Sequence, residues 1–142
     1  MRWLRTHAAL TRELSADLVA AHGLTINDYE VLLHLAKAEN RVLKPVALAE
    51  RIVLTPSGIT RLLAGLERAG FVERVSCSTD RRVSYAKLTS AGHARLRKAS
   101  KTHLAGIERV FTGRFSGDEL ETLGELLARL PGGDSGGECT AE

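Results

Sequence analysis

A chain of 142 residues, 44% hydrophobic and 26% charged, is long enough to bury a core and ordinary in composition for a globular domain. A charge or a glycine cuts every apolar stretch after a few residues, which excludes a membrane-spanning helix. Met1-Arg2-Trp3-Leu4-Arg5 does not lead into the apolar run of a secretory leader, so the expected location is the cytoplasm.

The first helix is expected from Trp3 to Ala21, where Trp3, His7, Leu10, Leu14, Leu18 and Ala21 recur at steps of three and four. Gly23 ends it. Thr25 opens a second helix, with Asp28 in the capping-box position and Ile26, Tyr29, Leu32, Leu33 and Ala36 on its inner side, up to Asn40. A short extended piece, Arg41-Val42-Leu43, leads to Pro45. Proline suits the first position of a third helix because its missing N–H is not needed there. That helix, from about Pro45 to Ile52, is expected to turn Val46, Leu48, Ala49 and Ile52 inward.

The fourth helix follows after only Val53-Leu54, with Thr55 as cap and Pro56 at its first position. Ile59, Leu62, Leu63 and Leu66 form one apolar stripe, and Ser57, Thr60, Arg61, Ala64 and Arg68 centre on the opposite side. Gly70 stops it. Phe71 to Ser76 and Val83 to Leu88 read as the strands of a hairpin around the loop Cys77-Ser78-Thr79-Asp80-Arg81-Arg82. Thr89 caps a fifth helix reaching about Thr112, with Leu96, Leu104, Ile107, Val110 and Phe111 along it. Ser116-Gly117-Asp118-Glu119 is a capping box for a sixth, whose stripe is Leu120, Leu123, Leu126, Leu127 and Leu130. Residues 131–142 turn to Gly, Ser, Asp and Glu, the composition of a disordered tail.

The net charge of +3 is concentrated. From Arg51 to Arg82 six arginines face three acidic residues, a balance of +3, while the other 14 basic and 14 acidic residues cancel. An arginine-only excess suits phosphate contact and groove reading. Helix, helix, strand, helix, helix, hairpin is the order of a winged helix-turn-helix, in which the fourth helix enters a major groove. Its outer face offers small residues for close approach and a few donors: Ser57, Thr60 and Arg61, with Arg68 reaching a phosphate and the amides near Thr55, Pro56 and Ser57 forming a positive helix end. Arg81 and Arg82 at the hairpin tip suit a narrow minor groove, and Asp80 holds a neighbouring arginine in place by a charge-assisted hydrogen bond.

The hairpin reads Asp80-Arg81-Arg82, then Val83-Ser84-Tyr85-Ala86-Lys87, then Leu88-Thr89. This resembles the wing signature of the MarR (multiple antibiotic resistance regulator) family: Asp-x-Arg, five residues, Leu-Thr. Leu62-Leu63 with the run Leu66 to Arg74 is similar to that family's recognition-helix exit, and Leu24-Thr25 with Tyr29 and Val31-Leu32 to its second helix. The resemblance covers about residues 3–130. It implies a mainly α fold with a small β-hairpin wing and six helices, dimeric through helices at about 3–22 and 89–130, around a winged core at about 25–88. It further implies a cytoplasmic transcriptional repressor on a pseudo-palindromic double-stranded DNA operator, released by a small aromatic or phenolic effector. Trp3, Arg5 and His7 are candidate wall residues of the effector cleft, with Trp3 alternatively an aromatic of the dimer core. The two C-terminal amphipathic helices independently ask for a second copy to cover them.

Other chemistries find little footing. Cys77 and Cys139 lie far apart with no Cys-x-x-Cys, the pattern of reduced thiols, although Cys77 between Arg74 and Arg81 is a candidate redox thiol. The five histidines lack metal-ligand spacing, so no metal or cofactor is expected. No phosphate-binding glycine loop, His-Glu-x-x-His or Gly-x-Ser-x-Gly is present, so no enzymatic activity is expected. A winged-helix interaction module is the competing reading, but it needs no arginines at the wing tip.

Overall fold

The computed structural model describes residues 2–76 and 84–130. Its elements are α1 (Arg2–His22), α2 (Ile26–Lys37), β1 (Val42–Leu43), α3 (Pro45–Ile52), α4 (Pro56–Arg68), β2 (Val72–Ser76), β3 (Ser84–Leu88), α5 (Ser90–Val110) and α6 (Gly117–Ala128). This is the winged helix-turn-helix expected from the sequence.

The helix starts are fixed by short-range chemistry. Thr25 Oγ1 accepts from the Asp28 amide at 3.2 Å while Asp28 Oδ2 accepts from the Thr25 amide at 2.8 Å. Ser116 and Glu119 repeat that reciprocal pair at α6. Thr55 caps α4 by accepting from the Gly58 amide, and Pro45 and Pro56 occupy first-turn positions. α2 ends at Lys37, earlier than Asn40. Asn40 instead sits in a 3-10 turn, Glu39–Arg41, at φ 52°, a left-handed conformation that asparagine tolerates.

Packing divides the chain into two units, one ending at Gly106 and one beginning at Ile107. In the first, Leu18, Leu32, Leu35, Leu48, Ile59 and Leu63 are buried to 2% exposure or less. They join Val72, Ala86 and Leu88 of the sheet and Leu96 and Ala99 of α5 in one core. No polar side chain among the described residues is fully buried. The antiparallel sheet has the order β1-β3-β2, with Val42 opposite Lys87 and Val72 opposite Leu88. Thus the short piece before α3 is the third strand, an edge pairing that the sequence reading did not assign.

One joint locks the hairpin to α5. Thr89 donates its amide to the Phe71 carbonyl at 3.1 Å and its hydroxyl to the Gly70 carbonyl at 2.7 Å. The same hydroxyl oxygen accepts from the Gly92 amide at 3.0 Å. A Cβ on Gly92 would run into the Phe71 carbonyl oxygen and lie 2.8 Å from Leu88 Cδ1, so only glycine lets the helix start this close to the strand.

One inward expectation fails. Val46 is 67% exposed, because Leu48, Ala49 and Ile52 centre about 115° away from it around α3 at about 100° per residue. On α1, only Leu18 of the expected stripe is buried, while Trp3, His7 and Ala21 stand in solvent. In the second unit the rings of Phe111 and Phe115 meet edge to face at 5.5 Å. α6 carries its leucine stripe as expected, yet it has no buried residue, and Leu126 and Leu130 are 49% and 54% exposed.

Candidate nucleic-acid interface

The turn between α3 and α4 is three residues long. Val53 takes φ 57°, ψ 47° and sends its amide back to Ala49 and Glu50, and Leu54 donates to the Ala49 carbonyl at 2.9 Å. A β-branched residue is strained in that left-handed region, and Val53 is 90% exposed, so burial does not compensate it. The sharp reversal seats α4 across α3 with Ile59, Leu63 and Leu66 in the core.

Burying that stripe obliges the other face to point outward. Thr55, Pro56, Ser57, Thr60, Arg61 and Arg68 are all exposed. Ser57 Oγ lies 3.2 Å from Thr55 Oγ1 at the helix start. Thr60 donates its hydroxyl proton to the Pro56 carbonyl at 2.8 Å, so toward solvent it shows an acceptor oxygen and a methyl group. The one acidic residue of α4, Glu67, is turned aside into an ion pair with Arg74 at 3.2 Å. The exposed face therefore carries guanidinium and hydroxyl groups without a carboxylate.

The arginine cluster thus divides. Arg51, Arg61 and Arg68 stay exposed, whereas Arg74 is matched by Glu67. Arg51 is felt by His34, whose imidazole burial holds below its usual pKa, with Arg51 and Lys37 adding to the effect. On the hairpin, Lys87 and Glu73 face each other across the strands and pair at 2.9 Å. Asp80, Arg81, Arg82 and Cys77 lie outside the described residues, as does the tail 131–142.

Trp3, Arg5 and His7 are exposed along α1, with the Trp3 and His7 rings 6.5 Å apart. His7, Thr11, Ser15, Val19 and Ile26 line a shallow, mainly apolar hollow of about 740 Å³; Trp3 and Arg5 do not reach it. Two further arrangements went unread in the sequence. Arg95 donates to the His22 carbonyl at 3.2 Å and lies 5.1 Å from the Phe71 ring centre, tying the end of α1 to the start of the hairpin. The Tyr29 ring meets that of His103 at a tilt, centroids 4.6 Å apart, and its hydroxyl donates to Ser100 Oγ at 3.3 Å. These pairings span 24 to 74 positions, and no local pattern marks them.

Similarities to known proteins agree with this geometry. A sequence model of the MarR family matches residues 22–83, which run from the end of α1 through β2. The transcriptional repressor YetL of Bacillus subtilis is 36% identical over 115 residues, 78% of this chain and 68% of that protein. AbsC, a MarR family transcriptional regulator from Streptomyces coelicolor, is 32% identical and superposes with a TM-score of 0.81 over 89% of this chain and 84% of its own. The chain belongs to the MarR family. Sco3205, another member from Streptomyces coelicolor, was solved in complex with DNA; it is 26% identical, with a TM-score of 0.86 over 96% of this chain and 86% of its own. As a MarR family member the chain is a DNA-binding transcriptional regulator. No helix among its described residues is long and apolar enough to cross a membrane.

Proposed function

We propose that this MarR family protein is a homodimeric repressor that holds a pseudo-palindromic operator and releases it when a small aromatic or phenolic compound binds. The observation that carries the DNA reading is the outer face of α4, where Thr55, Pro56, Ser57, Thr60, Arg61 and Arg68 are exposed and Glu67 is neutralised by Arg74. A helix with small hydroxyl residues and two arginines opposite a buried stripe is built to enter a major groove. Arg81 and Arg82 reach the adjacent minor groove, positioned by Asp80. Residues of about 25–88 form the DNA-reading part, and helices at about 3–22 and 89–130 form the dimer.

Self-association is supported by apolar surface. Trp3 (53%) on α1, Leu126 on α6 and Leu130 just beyond it stand in solvent, and a second copy is the economical cover for such stripes. For the effector, the hollow beside His7 is mainly apolar and offers Thr11 and Ser15 hydroxyls to an acidic or phenolic oxygen, with Trp3 and Arg5 nearby in sequence on the same helix.

Selection of bound fragments from genomic DNA tests the core of this reading. Recovery of an inverted repeat supports both operator binding and two-fold symmetry. In gel shifts on that fragment, affinity should fall steeply between ~50 and ~200 mM salt as phosphate contacts release counterions. Arg82→Ala should weaken binding strongly, and Arg61→Ala should relax base preference. A monomer that retains no duplex at low salt would overturn the proposal.

A further inference from the structure

Beside Thr60 runs a trough of about 310 Å³ between α3 and α4, lined by Val46, Ala49, Glu50, Leu54, Pro56 and Thr60. Val46, expected in the core, is one of its open walls. The trough carries one carboxylate and no cation, so a backbone phosphate is repelled from it, while its aliphatic walls suit an uncharged apolar group. Thr60 sits on its rim in a fixed chemical state. Its only hydroxyl proton is held by the Pro56 carbonyl, and it offers outward a lone-pair oxygen and a methyl.

We infer that Thr60, with Val46 and Pro56, reads the C5-methyl group of a thymine in an A·T pair of the operator half-site. This rests on α4 being the helix that enters the major groove. There, an acceptor oxygen finds donors only at the adenine and cytosine amino groups, and a methyl finds an apolar partner only at thymine. An A·T pair satisfies both halves of the Thr60 side chain at once, and a G·C pair satisfies one. The held proton also removes guanine from consideration, because its O6 and N7 edge accepts and Thr60 has no proton left to give.

The test uses the full chain and the duplex recovered by genomic selection, with each thymine in turn replaced by uracil, which differs only by the missing methyl. One position per half-site should lose about fourfold in affinity, and about fifteenfold when both half-sites are changed. Thr60→Ser keeps the hydroxyl but lacks the methyl, and should shrink the preference for thymine over uracil, the remainder coming from Val46 and Pro56. Thr60→Val keeps the methyl and should preserve their ratio. A flat uracil scan with binding intact would overturn the inference and leave the DNA reading standing. A thymine whose replacement costs as much in Thr60→Ser as in the parent would also overturn it, because the Thr60 methyl would then play no part in the reading. Failure to retain any duplex at low salt would instead remove the reading on which the inference rests.

Discussion

α4 and α6 are near counterparts in sequence. Both are amphipathic, of 13 and 12 residues, opened by a capping hydroxyl at Thr55 or Ser116, and built around aliphatic residues at steps of three and four. Yet α4 buries Ile59, Leu63 and Leu66 to 2% exposure each, while α6 buries none of its leucines. Periodicity states that a face is apolar; it does not say what covers it. In α4 the cover is α2, α3 and the sheet, and the opposite face is thereby committed to solvent and, as proposed, to DNA. In α6, Leu120, Leu123 and Leu127 are half-buried and Leu126 is exposed, a face that, as proposed, a second chain covers.

The largest expected effect separates the two helices directly. Leu63→Ala should cost about 3 kcal/mol in chemical denaturation, since the site is enclosed and cannot collapse. Leu126→Ala should change the stability of dilute protein by less than about 0.5 kcal/mol but weaken self-association in sedimentation. Equal losses at the two sites would break the comparison. Gly92→Ala should come next, at about 2–3 kcal/mol, because its Cβ meets a backbone carbonyl on the enclosed side. Gly124→Ala in α6, where a Cβ meets nothing within 4 Å, should be neutral or slightly stabilising, and thermal melts of the two variants read the contrast.

A smaller effect is set by pH. His103 Nδ1 is buried without a hydrogen-bond partner among the described residues, and burial lowers its pKa. The folded protein thus binds that proton more weakly than the unfolded chain. The stability concerned is complete above the ordinary imidazole pKa of about 6.5 and is lost as pH falls below it. His103→Phe keeps a ring against Tyr29 and should narrow the drop in melting temperature between pH 7.5 and 5.5. His34, shifted in the same direction, should preserve the remainder. The smallest change is expected at Val53→Gly. Relief of the left-handed strain, offset by the greater freedom of the unfolded chain, should leave a gain of about 0.5 kcal/mol in denaturation curves.

Much of the fold was legible because it is local. Thr25 with Asp28, Thr55 with Gly58, and Ser116 with Glu119 are bonds over three residues, and the prolines at 45 and 56 act on their own turn. The exposed face of α4 followed from the same arithmetic, since fixing Ile59, Leu63 and Leu66 inward fixes Thr60 and Arg61 outward. That arithmetic also places Val46 at the margin of α3, and a two-turn helix offers too few residues to make the margin obvious. The matching of Arg74 by Glu67 reduced the free charge near α4, and a count of charges cannot see such pairing.

By itself, then, the sequence determined the helices, their caps, the hairpin strands and the side of α4 that faces water, all set by interactions within a few residues. Tertiary structure alone decided the pairing of β1 with β3, the clamp of Arg95 between His22 and Phe71, and the close approach that reserves position 92 for glycine. Those depend on groups brought together across 21 to 73 positions, where packing rather than sequence spacing chooses the partner.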